Sequence, residues 1–310
     1  MPIDSTIEVA FTKQYGPSLY MLAQQKTSKF ASKVTRDTVS GATVAFYDLL
    51  GLAEGEEITT RHPATPNNEI PNTRRRVSLT SMHVNTYLDH LDKLQMMIDP
   101  QNKYQVAQAR WAGRTFDDRI IAAMLGTAYC GVDGATAVTF AADSLSINGD
   151  GSVTSLGTAA VPATEVDMTL AKMLLMMQIF NEGDVDEDIP KFWAVTPKDV
   201  GDMLDLEEVG SSDYNTVKTL KEGKVEYFNG FNFFWSNRLT KNTTDETCNR
   251  TIAWSQEGVI FSTWEDVFNR VSERDDLSYT IQVYSRFTNG AVRLEGAQVH
   301  ECLNKVRQAS

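Results

Sequence analysis

Cysteine and histidine are scarce in this chain. Its three cysteines, Cys130, Cys248 and Cys302, lie far apart and are odd in number, which speaks against a disulfide framework and against a cysteine zinc site. They read as reduced thiols of a cytosolic protein. The four histidines, His62, His83, His90 and His300, are too scattered to hold a metal, and His83 reads as a strand residue. No apolar run approaches the ~20 residues that cross a bilayer. The first residues, MPIDSTIEVAFTKQYG, lack the basic-then-apolar order of a secretory leader. Basic charge is also short: 29 Lys and Arg face 41 Asp and Glu, a net charge of −12. That sign argues against a dedicated nucleic-acid binder, whose affinity comes from neutralising phosphates. It suits a protein kept soluble at high concentration.

Catalytic and cofactor motifs are missing too. There is no phosphate-binding loop, dinucleotide fingerprint or GxSxG nucleophile turn. Asp184, Asp186 and Asp188 copy the start of a calcium loop, but Ile189 and Val195 occupy the positions that need Gly and Glu. That stretch reads as a solvated acidic turn before Pro190. Carboxylates abound without any pair that spacing assigns to acid and base roles. The sequons Asn242-Thr243-Thr244 and Asn249-Arg250-Thr251 have no consequence in a cytosolic protein. Met168, Met173, Met176 and Met177 read as core packing. No catalytic residue, cofactor or metal site is expected.

What is present is a large apolar inventory, 42% of the residues, enough for one elaborate unit or two. Asp99 to Gly126 carries the signals of one long helix, with Asp99 as N-cap and Pro100 at the first position. Val106, Ala109, Gly113, Phe116, Ile120 and Met124 make one apolar stripe; Tyr104, Ala107, Trp111, Ala122 and Leu125 make a second. Arg114 is placed to meet Asp117 or Asp118. A helix apolar on two sides serves as a backbone for a domain, and Trp111 is expected to be largely buried.

Before it, Ala42–Asp48 and Arg74–Tyr87 read as the two strands of a long hairpin. The segment between them, GLAEGEEITTRHPATPNNEIPN, is too long for a plain turn and reads either as a flexible surface loop or as an extended two-stranded arm reaching another chain. The aromatic residues of 1–33 suggest docking, on the same subunit or a neighbour. Residues 131–163 are rich in small side chains, with a turn at Asn148-Gly149-Asp150-Gly151. A helix is expected from a cap at Thr164 with Asp167 to a stop at Gly183. Phe192–Val195 reads as a strand, with Thr196 capping and Pro197 opening the next helix. Asn229-Gly230 marks a tight hairpin, and strands follow to Leu303. Helix and strand mix without regular alternation, so the class is α+β.

The order of these segments resembles the major capsid protein of tailed bacteriophages. The likeness rests on Arg74-Arg75-Arg76-Val77-Ser78-Leu79, then Asp89 to Asp92, Asp99-Pro100 and Gly113-Arg114-Thr115-Phe116-Asp117-Asp118-Arg119-Ile120-Ile121. It continues in Asn229-Gly230-Phe231 with Ser236-Asn237, in Asp266 to Arg274, and in Gly290-Ala291-Val292-Arg293. The resemblance implies an N-terminal arm at 1–33, an extended loop at 34–85, and a peripheral domain at 86–130 and 262–310 with its spine helix at 100–126. It implies an axial domain at 164–261, with 131–163 as a small-residue, β-rich insertion. The implied function is an icosahedral head shell around double-stranded DNA, built of hexamers and pentamers in the host bacterial cytoplasm. The implied partners are a separate scaffolding protein, a portal, a decoration protein and non-specifically packaged DNA, with no membrane. Glu54, Glu56, Glu57, Arg61, Arg74, Arg75 and Arg76 are the candidate inter-subunit contacts. The competing readings are an encapsulin-like compartment and a cytosolic enzyme with an unrecognised carboxylate site.

Overall fold

The computed structural model describes residues 22–61, 67–89, 101–154, 166–206, 227–241 and 248–306. The expectations for residues 1–21, the Asp99–Pro100 cap, Thr164 and the first sequon lie outside them. Strands β1 (Thr35–Thr38), β2 (Val44–Leu50), β3 (Asn72–Ser78) and β4 (Thr80–Leu88) precede helix α1 (Gln101–Leu125). Then come β5 (Ala128–Cys130), β6 (Thr136–Val138), the short α2 (Phe140–Asp143), β7 (Ser146–Ile147) and β8 (Val153–Thr154). Helix α3 (Leu170–Glu182), β9 (Lys191–Val195) and α4 (Pro197–Asp205) lead to β10 (Tyr227–Phe228), β11 (Phe231–Trp235) and β12 (Cys248–Ser255). The last strands are β13 (Val259–Arg274), β14 (Thr280–Arg293) and β15 (Val299–Lys305). Three sheets result, ordered β1-β13-β14-β4, β10-β11-β9-β12-β15-β7-β8 and β2-β3-β5-β6. The class is α+β, as the mixed pattern implied.

Local chemistry explains several joints. Asn229 and Gly230 both take positive φ (47° and 80°), the backbone a two-residue hairpin needs between β10 and β11. Thr196 and Asp199 form a reciprocal capping box at α4, with Pro197 in the first turn. Helix α3 starts later than the sequence pattern predicts: Thr169 is its cap, and its side chain accepts the Lys172 N–H. The reason is tertiary. The backbone of Val166 bonds to Gly149 O and receives the Lys305 N–H, so that segment is extended rather than helical.

The return strand of the hairpin is also not continuous. It breaks at Leu79, whose N–H bonds Thr43 O, and β3 and β4 enter different sheets. In the β2–β3 ladder Val44 faces Ser78 and Leu50 faces Asn72.

The chain divides into two compact units, one with Met82–Gly113 and Val267–Phe287, the other with Ser28–Ser81, Arg114–Asp266 and Thr288–Ser310. In the first, Gln108 is buried and donates from Nε2 to Val283 O (2.9 Å) and to Thr86 Oγ1 (3.2 Å). Trp111 packs on the buried Phe287 ring, centroids 5.2 Å apart, and keeps a minor part of its surface in solvent. The expected stripe through Val106 and Ala109 is corrected, since both are exposed. The buried line of α1 includes the polar Gln108 and Asp117, which apolar periodicity does not register.

In the second unit, one cluster joins Met173, Met176 and Phe180 of α3 to Trp193, Met203, Phe231 and Cys302. Another gathers Phe30, Ile120, Met124, Trp254 and Phe261. Phe30 lies 5.5 Å from Trp254 and 5.0 Å from Phe234, ring to ring, so this part of the N-terminal region docks on its own subunit. A smaller cluster of Val77, Ala128 and Val292 underlies the hairpin sheet, with Tyr47 and Trp264 packed against it.

Candidate assembly surfaces

Strand alternation gives the hairpin two unlike faces. Ala45, Tyr47, Arg75 and Val77 turn towards the subunit; Phe46, Asp48, Leu50, Arg74 and Arg76 turn away from it. The Tyr47 hydroxyl donates to Asp37 (2.6 Å) and meets Ser262 Oγ (2.8 Å), tying the hairpin to β1 and β13. Burial, reinforced by the Asp37 contact, pushes the phenol up to about 12.

At the far end, residues 51–61 and 67–71 are exposed throughout. Their backbone is closed by Gly51 N–H on Pro71 O (2.7 Å) and by Asn68 Nδ2 on Glu54 O (2.8 Å). Leu52 is 85% and Ile58 76% exposed, beside the exposed Glu54, Glu56, Glu57 and Arg61.

The three consecutive arginines have three different roles. Arg74 pairs with Asp48 directly across the ladder, through Nε at 2.5 Å and Nη2 at 3.2 Å, and this holds the Asp48 carboxyl below its usual range. Arg76 donates to Gly134 O at 3.2 Å and lies 5.8 Å from the Tyr129 ring. Arg75 turns inward. Its Nε donates to Leu294 O (2.7 Å) and its Nη2 to Asp143 Oδ2 (2.9 Å), with side chains only 9% and 19% exposed. The same Asp143 oxygen receives Arg293 Nε at 3.2 Å. Arg293 in turn donates to Met124 O and Gly126 O, closing the C-terminal end of α1, where carbonyls lack helical partners. Arg75 therefore anchors the base of the hairpin within its own subunit.

Asp117 is the residue that sequence reasoning missed. Fully buried on α1, it accepts hydrogen bonds from Ser28 Oγ and from the N–H groups of Lys29 and Phe30. Asp118, exposed one position on, pairs with Arg238. A double Asp in an otherwise apolar-lined helix was the available signal.

Other buried polar groups have structural explanations. Lys172 donates to Val166 O and Leu303 O (2.9 Å each) and to Asn304 Oδ1 (3.2 Å); burial lowers its pKa. Burial pushes the Cys302 thiol up to about 12, far from a reactive thiolate. His300 accepts the Leu145 N–H at Nδ1 and contacts Ala297 O through Nε2, and burial lowers it to about 4. Among the described residues no three His, Cys, Asp or Glu side chains converge as a metal site. No helix among them is long and apolar enough to cross a membrane.

Comparison with known families decides what the chain is. The model of the phage capsid protein family matches residues 7–306. The chain belongs to the phage capsid protein family. Its fold is that of solved capsids: the capsid of cyanophage P-SCSP1u, at TM-score 0.73 and 16% identity, is matched over 97% of this chain and 95% of the other. The cyanophage Pam1 capsid asymmetric unit gives 0.74 and 13%, over 98% and 99%. The capsid of a native GTA particle gives 0.67 and 9%, over 99% of each. No curated protein matches by sequence. As a phage capsid protein, the chain is a component of the virion. The compartment and enzyme readings are not favoured.

Proposed function

We propose that this capsid protein builds an icosahedral shell of hexamers and pentamers around double-stranded DNA, as a structural protein without catalytic activity. Assembly takes place in the host bacterial cytoplasm with a separate scaffolding protein and a portal, and a decoration protein binds the finished shell. Residues 1–33 act as an arm, 34–85 as the extended loop, 86–130 and 262–310 as the peripheral domain, 131–163 as an insertion and 164–261 as the axial domain. Strand β15 pairs with β12, so Val299–Lys305 shares the seven-stranded sheet with strands of the axial segment.

One observation carries the reading: the described residues of the loop beyond β2 and β3 expose Leu52 and Ile58 and include no buried side chain. A two-stranded ribbon is marginal in water and gains order against a neighbour. Glu54, Glu56, Glu57, Arg61, Arg74 and Arg76 are the proposed boundary contacts, and Arg75 is reassigned to the subunit interior on its Asp143 pair. Exposed pairs are worth only ~0–1 kcal/mol each, but symmetry repeats them over the shell. The net charge of −12 supports a wall to which packaged DNA does not stick. Electron microscopy of the protein expressed with its scaffold tests the proposal. Closed particles with five- and six-fold capsomers are expected; a stable monomer under those conditions overturns it.

A further inference from the structure

The root of the hairpin holds more positive charge than the side chains around it neutralise. Arg75 is 8% exposed and Arg293 is fully buried. The ion pairs of both end on one carboxylate oxygen, Asp143 Oδ2, with Arg75 Nη2 at 2.9 Å and Arg293 Nε at 3.2 Å. Their other partners are neutral carbonyls: Leu294 O for Arg75 Nε, and Met124 O, Gly126 O and Thr139 O for Arg293. Burial lowers the Arg293 pKa, Asp143 opposes that shift, and the neighbouring Arg75 adds to it. Two cations against one carboxylate leave one positive charge out of water, and a buried charge without a counter-charge is costly.

Two buried polar atoms at this root have no hydrogen-bond partner among the described residues, Arg75 Nη1 and Ser144 Oγ. Ser144 is 3% exposed and directly follows Asp143, as the C-cap of α2. Buried polar groups are nearly always paired, so each of these atoms calls for a partner. Their chemistry narrows it. A guanidinium N–H only donates, so its partner is an acceptor, and a hydroxyl can turn its hydrogen towards the same acceptor. Water would accept the hydrogen bond and leave the surplus charge as it is. A monovalent anion meets both needs, and the burial of both atoms favours a compact ion over a phosphate or an organic acid.

We propose that Arg75 Nη1 and Ser144 Oγ bind a halide, chloride under ordinary conditions, as the second negative charge at the hairpin root. Asp143 and the ion together then neutralise Arg75 and Arg293. Arg75 belongs to β3 and Arg293 closes the end of α1, so the bound ion strengthens the joint between hairpin and helix. The site lies within one subunit and is independent of the shell that the chain builds. An ion that binds the folded chain alone stabilises it by an amount that grows with the logarithm of its concentration.

The test follows thermal denaturation of the full-length, unassembled subunit in sodium chloride and sodium gluconate mixtures of one ionic strength, so that screening is equal throughout. Gluconate is too large for an enclosed site. The Tm should rise with chloride, by about 3 °C for each tenfold increase above the dissociation constant. Arg75→Gln removes the surplus cation and should erase the chloride response, whatever it does to the Tm itself. Ser144→Ala removes one donor, and its response should need several-fold more chloride. In crystals of the wild-type protein, bromide in place of chloride should give an anomalous diffraction peak beside Arg75 Nη1, a readout that requires no variant to fold. Equal Tm values in chloride and gluconate overturn the proposal and assign the partner of Nη1 to water. A chloride response kept in full by Arg75→Gln, or bromide peaks confined to the protein surface, overturns it as well.

Discussion

Arg75 and Asp143 form a pair at 2.9 Å with both side chains largely out of solvent, and that pair fixes the root of the hairpin. Asp143 is shared with Arg293, which is fully buried and closes the end of α1, so the hairpin base and the long helix meet at one carboxylate.

Reversal of charge at this point acts on the subunit. Arg75→Glu sets two carboxylates together and leaves Arg293 to compete for one of them. Breaking a buried pair in this way costs about 3–5 kcal/mol. The expected result is a lowered denaturation midpoint of the unassembled subunit, with little dependence on salt. A variant as stable as wild type whose assembly falls steeply with salt would return Arg75 to the inter-subunit boundary.

The aromatic pair in the smaller unit separates two degrees of burial. Phe287→Ala should cost roughly 3–5 kcal/mol, the loss for a fully buried ring. Trp111→Ala should cost less, about 2 kcal/mol, because part of that side chain is already in water. Chemical denaturation of both variants checks the order; equal losses would place Trp111 inside the core.

Acid should weaken the subunit through His300. Burial holds its folded pKa near 4, below the unfolded value of 6.5, and Nδ1 is already an acceptor for the Leu145 N–H. The unfolded chain therefore binds the extra proton first. Stability falls as pH drops through 6.5, and the loss levels off below about 4, on the order of 3 kcal/mol in all. Denaturation midpoints between pH 7 and 4.5 should fall more steeply for wild type than for His300→Gln. Parallel slopes would remove His300 from the acid response.

Local signals were legible in the sequence and partnerships were not. Asn229-Gly230 forced its own turn, and Thr196-Pro197 with Asp199 capped α4 without outside help. The α3 start was misplaced because a strand far along the chain, ending at Lys305, draws the Val166 backbone into extended pairing. The arginine run was visible as charge, but the inward turn of Arg75 depends on Asp143, 68 positions away. Helical spacing places Asp117 within reach of Arg114. Asp117 is a buried acceptor for a segment 87 to 89 residues earlier, a contact no local spacing encodes.

The most direct test of the account replaces Leu52 to Asn72 by a short Gly-Ser turn and compares the product with wild type in the electron microscope. The described residues of the loop include no buried apolar side chain, so the subunit should keep its circular dichroism spectrum and its melting temperature within a few degrees. Wild type should give closed particles with scaffold, and the replaced protein only unassembled, folded subunits. Intact particles from the replaced protein would show that the loop is surface decoration and contradict the account.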